Sequence, residues 1–500
     1  KPLAAMATDP LSLAYSAALI LLGLVCLAVL LFDRDCKFAC KPLACVPNTW
    51  DVRFLLPFGV CAAADWLQGP YVYDLYDEYG NDSKTIKALF VCGFSASMLL
   101  GPFVGTIADR CGRKVMILVG YCTLYGLACV TKHFDTLGVL YLGRVFGGAA
   151  TSVLFTCFES WLVSEYARRK VGSLELGDTL SRMYFVNGLA GMLMGVVANA
   201  AADASTMTAV SGSAFHVGGV ITPFDMSLVC LVVGFCCVAC MWSENYGEAR
   251  DGSAGGGGGD AAGGGGSVLK ALGWLGREPL VLLLLVGSAC TEAAMYCFVI
   301  EWTPALTTDA TKPPHGVVFS AFMVSYMTGS TLATTLVSTA CRMHPATLLA
   351  CFCAVSAIAT AVPWIVLSAY PLDGEPTSAT FAVFVLFCLL EACLGGYFAT
   401  VGGLKAKWVP EKMRTTVYNL FRVPLNLLVV ANELLSPSTK DTFSICAALL
   451  LVAFGSFILA RGMILRREGG GKTEADGLLA SAVAPPPLAE AKKNCLGCAT

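Results

Sequence analysis

Gly105-Thr-Ile-Ala-Asp109-Arg110-Cys-Gly112-Arg113-Lys114 sets one acidic and three basic side chains, with two glycines, between two long apolar runs. A tight turn between membrane helices draws on glycine's backbone freedom. Lysine and arginine accumulate on the cytoplasmic face of a bilayer, so the stretch reads as a cytoplasmic loop joining two spans.

The composition around it agrees. Of 500 residues, 56% are hydrophobic and 14% charged, and apolar runs of about twenty residues, the length a bilayer requires, recur down the chain. A net charge of −2 makes no case for nucleic acid. Most of the 24 cysteines lie inside apolar runs, as Cys236, Cys237, Cys240, Cys351 and Cys353 do. There a thiol acts as a small hydrophobe, so no disulfide framework is expected. Free thiols rather than a metal site are also expected for the loop cluster Cys36, Cys40 and Cys45. The histidines, at 133, 216, 315 and 344, are scattered, which leaves a membrane enzyme poorly supported and no cofactor expected.

The chain opens with an apolar run from Leu11 to Phe32, too long for a signal peptide and preceded by Asp9 rather than a basic cluster. Met6 is a candidate start. The run reads as an extra membrane helix with its N-terminus outside, the first part of a segment 1–52. Twelve spans follow, near 53–76, 86–107, 115–131, 137–163, 176–202 and 218–242, then 279–303, 315–339, 345–369, 378–404, 412–435 and 442–465. Basic loops (Arg110, Arg113, Lys114; Arg168, Arg169, Lys170; Arg342; Lys405, Lys407, Lys412, Arg414) alternate with loops that are acidic or nearly uncharged (Asp74, Asp77, Glu78, Asp82; Asp373, Glu375). That asymmetry sets the basic loops and the C-terminus in the cytoplasm. Asn81-Asp-Ser83 is a glycosylation sequon on the outer face.

Gly252 to Gly266 is almost all glycine and reads as a flexible linker within 243–278. It divides six spans (53–242) from six more (279–466), and a disordered tail, 467–500, closes the chain. Two six-helix halves make an architecture in which substrate sits at the bilayer midplane between them.

Charge inside a bilayer is costly and marks function by default. The first core span carries Asp65 with Gln68 one turn on. The fourth carries Arg144 and Glu159, and the fifth Arg182 and Asn187. Glu292 and Tyr296 lie in the seventh, with Glu301 nearer its outer end, and Glu391 lies in the tenth. In the eleventh, Asn419, Arg422 and Asn426 share one face around Pro424. A guanidinium flanked by two amides suits an oxyanion. Arg422 lies about ten residues into its span, roughly 15 Å from the cytoplasmic end. It is the expected principal ligand, with Arg144 or Arg182 contributing from the other half; the alternative is that it pairs with Glu391 or Glu292 to hold helices together. Asp65 or Glu292 is the expected proton-coupling site, with a structural pair as the alternative. Gly147 and Gly148 let a neighbouring helix approach, and the fifth span, with Gly191-x-x-x-Gly195, is the expected partner.

The pattern G-x-x-x-D-R-x-G-R-K at 105–114 resembles the loop between helices 2 and 3 of the major facilitator superfamily. Arg144-Val-Phe-Gly147-Gly148 resembles that superfamily's helix-4 motif. The resemblance implies an all-α polytopic membrane protein with the major facilitator fold, two six-helix halves, here with one extra N-terminal transmembrane helix. Gly105, Asp109, Arg110, Gly112, Arg113 and Lys114 would then form a cytoplasmic gate, bridging helices of their own half to stabilise the outward-facing state.

Asp65-Trp-Leu-Gln-Gly-Pro-Tyr-Val-Tyr-Asp-Leu-Tyr76, Gly143-Arg-Val-Phe-Gly-Gly148, Phe158-Glu-Ser-Trp-Leu162, Glu244-Asn-Tyr246 and Phe421-Arg-Val-Pro-Leu425 together resemble the molybdate-anion transporter family. The match covers roughly residues 50–465. It implies uptake of molybdate. Protons are the expected coupling partner, and the protein is expected to work as a monomer in the plasma membrane. The residues alone imply a transporter with cations in its path, so a carrier of sulfate, sugar or drug, or a non-transporting receptor or scaffold, stays open.

Overall fold

The computed structural model describes residues 10–32, 49–169, 173–246, 264–308, 312–337, 343–369, 378–410, 414–435 and 438–470. The Cys36–Cys45 cluster, Lys170, Arg342, Asp373, Glu375, Lys412 and the tail beyond 470 lie outside the described residues, as does most of the glycine run.

Each expected span forms a helix. Helix α1 is Pro10–Phe32. The first half comprises α2 (Thr49–Gln68), a one-turn link, α3 (Val72–Glu78), α4 (Ser83–Cys111), α5 (Arg113–Thr131), α6 (Leu137–Arg169), α7 (Ser173–Asp203) and α8 (Thr222–Met241). After α9 (Gly264–Leu275), the second half comprises α10 (Pro279–Leu306), α11 (His315–Thr335), α12 (Pro345–Ala369), α13 (Ser378–Trp408), α14 (Arg414–Leu435) and α15 (Thr439–Gly470). Ten of these helices are long and apolar enough to cross a membrane. Helices α2 and α14 fall short of that measure because they carry the polar residues, Asp65 and Gln68 in one, Asn419, Arg422 and Asn426 in the other.

One hydrophobic cluster is drawn wholly from residues 54–242 and another wholly from 271–464. A third joins Tyr76, Phe90 and Leu140 to Ala293, Leu425 and Leu450 across the two halves. Helix α1 lies outside this body, with buried Tyr15 edge-on to Phe384 of α13 at 4.8 Å, while Leu13, Ile20 and Leu24 are exposed on the other side.

Two sequence readings change. Gly147 and Gly148 do not receive the fifth span. Gly148 abuts Gly93, Ala96 and Ser97 of α4, so those small residues close the α4–α6 contact within the first half. Gly191 and Gly195 instead face Met323, Ser320 and Gly316 of α11 and form a seam between halves. Small residues reveal that a close approach exists, but not to which helix. The expected linker 243–278 is also shorter than its composition suggested. Ala271 and Leu275 of α9 are buried against the second half, and Trp242 to Asn245 are pinned to the first half, as described next.

Candidate functional site

At the centre of the molecule, Tyr125 of α5 donates to Asp65 Oδ1 at 2.6 Å, and Arg144 of α6 faces that tyrosine. Across the seam, Tyr296 of α10 lies near Arg422 of α14, Glu292 of its own helix and Asp65 of α2. Phe94 of α4 meets the Tyr296 ring edge-on at 5.2 Å. Arg144, Tyr125, Asp65, Tyr296 and Arg422 therefore form one polar thread linking the halves. Arg144 Nε donates to the Leu89 carbonyl at 3.1 Å and its guanidinium lies 4.5 Å from the Phe90 ring centre. Among the described residues neither Arg144 nor Arg422 has a carboxylate ion-pair partner. A partly buried arginine without a carboxylate counter-ion is a ready receptor for an anion.

The alternative pairing of Arg422 with Glu292 or Glu391 does not occur. Glu292 is held by Lys405 of α13 at 3.2 Å and by the Tyr397 hydroxyl at 3.0 Å. Lys405, read from the sequence as a loop cation, lies inside α13 with its ammonium 4.8 Å from the Phe421 ring centre. Glu391 is buried and near Tyr326, with no ion pair among the described residues.

The other expected site residues scatter. Gln68 turns away from the thread and donates to Ser227 Oγ of α8 at 3.0 Å. Asn187 accepts from the Trp66 indole at 3.0 Å. Asn426 is spent on its own helix, donating to the Arg422 carbonyl at 2.9 Å. Asn419 lies on α14, its side chain outside the described set. Arg182 is half-buried and already engaged by a neighbour. Glu159 accepts from Tyr184 at 3.2 Å. Tyr125, Tyr397 and Lys405 were missed, because nothing in their own stretches separates a core tyrosine or a loop lysine from a site residue.

The glycine-bearing stretch is anchored to the end of α8. Gly112, at φ +105°, breaks the helix. Just beyond it the Glu244 carboxylate accepts from the backbone of Lys114 and Val115 at 2.8 and 3.0 Å, an anion at a helix N-terminus. Arg113 bridges Asp109 Oδ1 at 2.7 Å and the Asn245 carbonyl through its backbone N–H at 3.0 Å. Lys114 Nζ reaches the Ala239 carbonyl at 2.7 Å, and Asn245 donates to the Trp161 carbonyl of α6 at 3.1 Å. Gly105 faces open space, and Arg110 is exposed.

Polar contacts between halves gather at the outer ends. Lys87 pairs with Glu301 at 2.5 Å, and Lys312 with Asp74 at 2.7 Å. The Gly316 N–H donates to Asn199 at 3.3 Å, and Ser320 to the Met192 carbonyl at 2.8 Å. At the cytoplasmic ends Gly105, Gly402 and Gly403 have nothing within 4 Å of a would-be side chain. These polar contacts between halves therefore lie at the ends of the helices that the charge pattern sets outside.

Comparison with known proteins agrees with this architecture. A family described as sugar transporters with twelve transmembrane helices matches residues 18–390. A molybdate-anion transporter of Xenopus tropicalis is 32% identical over 398 residues, covering 78% of this chain and 81% of the relative. One of Danio rerio is 30% identical over 477 residues, covering 88% and 93%. Among solved structures, an inward-facing bacterial homologue of the iron transporter ferroportin superposes with a TM-score of 0.60 at 13% identity, covering 82% of this chain and 98% of that one.

Proposed function

Since the chain belongs to the molybdate-anion transporter family, within the twelve-span transporters, we propose that it takes up molybdate by alternating access. One observation carries this reading: Arg144 and Arg422 approach one polar thread from opposite halves, and neither is neutralised by a carboxylate ion pair among the described residues. Molybdate is a tetrahedral dianion whose hydration must be replaced in a site of low dielectric. Two guanidinium groups supply permanent charge and forked donors, and Tyr125 and Tyr296 add hydroxyls. A bound dianion would draw the halves together, which is the step from open to occluded. A sugar would leave both arginine charges unanswered, so the anion is the better fit.

Protons are the proposed coupling ion, with Asp65 or Glu292 as carrier. Each already has a donor that could respond to a bound anion, Tyr125 for one and Lys405 for the other. The Asp109 cluster is the proposed cytoplasmic gate. Helix α1 is the proposed thirteenth span, the protein works as a monomer, and its site of action is the plasma membrane.

Counterflow of labelled molybdate into proteoliposomes tests the reading. Accumulation driven by internal molybdate, and suppressed by external molybdate more than by sulfate, is the expected result. Counterflow of sugar without molybdate would overturn it. Proton coupling requires that uptake also respond to a pH gradient and to protonophores.

A further inference from the structure

A second charged cluster lies outside the transport thread, in the seam at the outer ends of the halves. Lys87, one turn into α4, pairs with Glu301 near the end of α10 at 2.5 Å, and both are buried. Glu433, near the outer end of α14 and 5% exposed, faces these two charges. Asn432 donates to Glu433 Oε1 at 2.9 Å. Glu433 Oε2 has no hydrogen bond, and Glu301 Oε2 has none beyond the ion pair that Lys87 makes with Oε1. The remaining titratable neighbours are Tyr73 of α3, facing Glu301, and the Cys297 thiol of α10, facing both carboxylates with Cys446 of α15 against it.

Two buried carboxylates and one buried ammonium thus gather in this seam. If all three were ionised, one negative charge would remain uncompensated, and a buried unpaired charge is strongly unfavourable. One proton on the carboxylate pair removes that imbalance. The three groups come from α4 in one half and α10 and α14 in the other, so opening the outer seam parts them and admits water. The ionised carboxylates are then solvated and the proton is free to leave.

We propose that Lys87, Glu301 and Glu433 are a proton-binding latch: a proton taken from the outer solution lets the outer seam shut, and its loss to that solution lets the seam reopen. In this proposal the site exchanges its proton with the outer solution alone, so it does not carry the proton across. The latch therefore sets how outer pH divides the population between the two facing states, separately from any proton that travels with substrate. Acid outside holds the seam shut; alkali opens it. For one proton the population ratio shifts by about tenfold per pH unit across the transition.

This inference rests on the alternating-access reading. Lys84 and Lys440, exposed at the outer ends of α4 and α15, are sites for a pair of distance labels carried on unnatural amino acids in the full-length reconstituted protein. The expected result is a short distance at low outer pH that lengthens as outer pH rises, with or without molybdate. Glu433→Gln and Glu301→Gln each leave one carboxylate for one lysine. In either variant the distance should stay short across the range, and one well-folded variant suffices. The latch is overturned if the wild-type distance responds to molybdate but not to pH, or if both variants keep the wild-type pH response. A distance that moves with neither overturns the latch and alternating access together.

Discussion

The carboxylate of Glu244 occupies the place where a side chain on Gly112 would be, with both its oxygens 2.7 Å from the position of a β-carbon there. Gly112 also has a φ of +105°, which side chains rarely adopt. Two constraints therefore converge on one residue: the helix break needs a backbone without a β-carbon, and the break leaves N–H groups that need an anion.

Gly112→Ala is expected to destabilise the first half by about 1–3 kcal/mol from backbone strain, more if Glu244 is displaced. Glu244→Gln keeps the shape but loses the charge at the helix terminus, at a cost of about 0.3–1 kcal/mol. Thermal unfolding of the detergent-purified protein followed by tryptophan fluorescence checks the order of the two. Equal losses would mean that the strain at Gly112 is negligible.

Asp109 accepts from Arg113 at 2.7 Å and remains half-exposed. The bond joins two residues four apart in the same stretch, so it does not by itself report a facing state. Its expected role is to position Arg113 for the closed cytoplasmic face. Asp109→Asn should lower the maximal transport rate several-fold with little change in molybdate affinity, as a shift in population does. Loss of binding in well-folded protein would instead assign Asp109 to the substrate path.

These contacts separate what the sequence could disclose from what it could not. Span positions follow from runs of apolar residues, and Arg144 and Arg422 stand out because a charge in such a run is rare. The partners are another matter. Asp65 and Gln68 lie three residues apart and should share a face, yet one meets Tyr125 of α5 and the other Ser227 of α8. A helix face is wide enough to touch two neighbours, and periodicity does not choose between them. Lys405 resembled its cytoplasmic neighbours in sequence because a long side chain near a helix end can reach inward, as it does toward Glu292. The bonds from Glu244 to Lys114 and from Lys87 to Glu301 span 130 and more residues of chain, and nothing local marks either end.

Lys312 gives the outer seam a pH dependence of its own at the alkaline end. Partial burial pulls its ammonium down, but Asp74 beside it, then Glu78 and Asp77, outweigh that, so it titrates above the ordinary lysine value. A group raised in the folded state contributes fully below its unfolded value, about 10.4, and the contribution is lost as pH rises through the folded value. Full strength is therefore expected at neutral pH, and weakening only above about pH 10. Lys312→Met should remove this alkaline loss of thermal stability while lowering stability slightly at neutral pH, because a part-exposed pair contributes little. An unchanged alkaline profile in the variant would exclude Lys312 as the titrating group.

Arg422 is the most demanding test of the transport path. It lies about eight residues into α14, roughly 12 Å from the cytoplasmic end, beside Tyr296 and without a carboxylate ion-pair partner among the described residues. Were it a structural cation, a carboxylate would be expected against it, but the nearby Glu292 is engaged by Lys405 and Tyr397. Arg422→Lys retains the charge and loses the planar fork, so uptake should fall by about ten- to a hundredfold, the worth of one charge-assisted hydrogen bond at 1.5–3 kcal/mol. Arg422→Ala should abolish counterflow. Arg144→Lys should be milder, since Leu89 and Phe90 already hold that guanidinium in place. Direct binding of molybdate to the purified variants, with size exclusion as the folding check, separates loss of a ligand from loss of the fold. Unchanged affinity in well-folded Arg422→Ala would move the anion site away from α14.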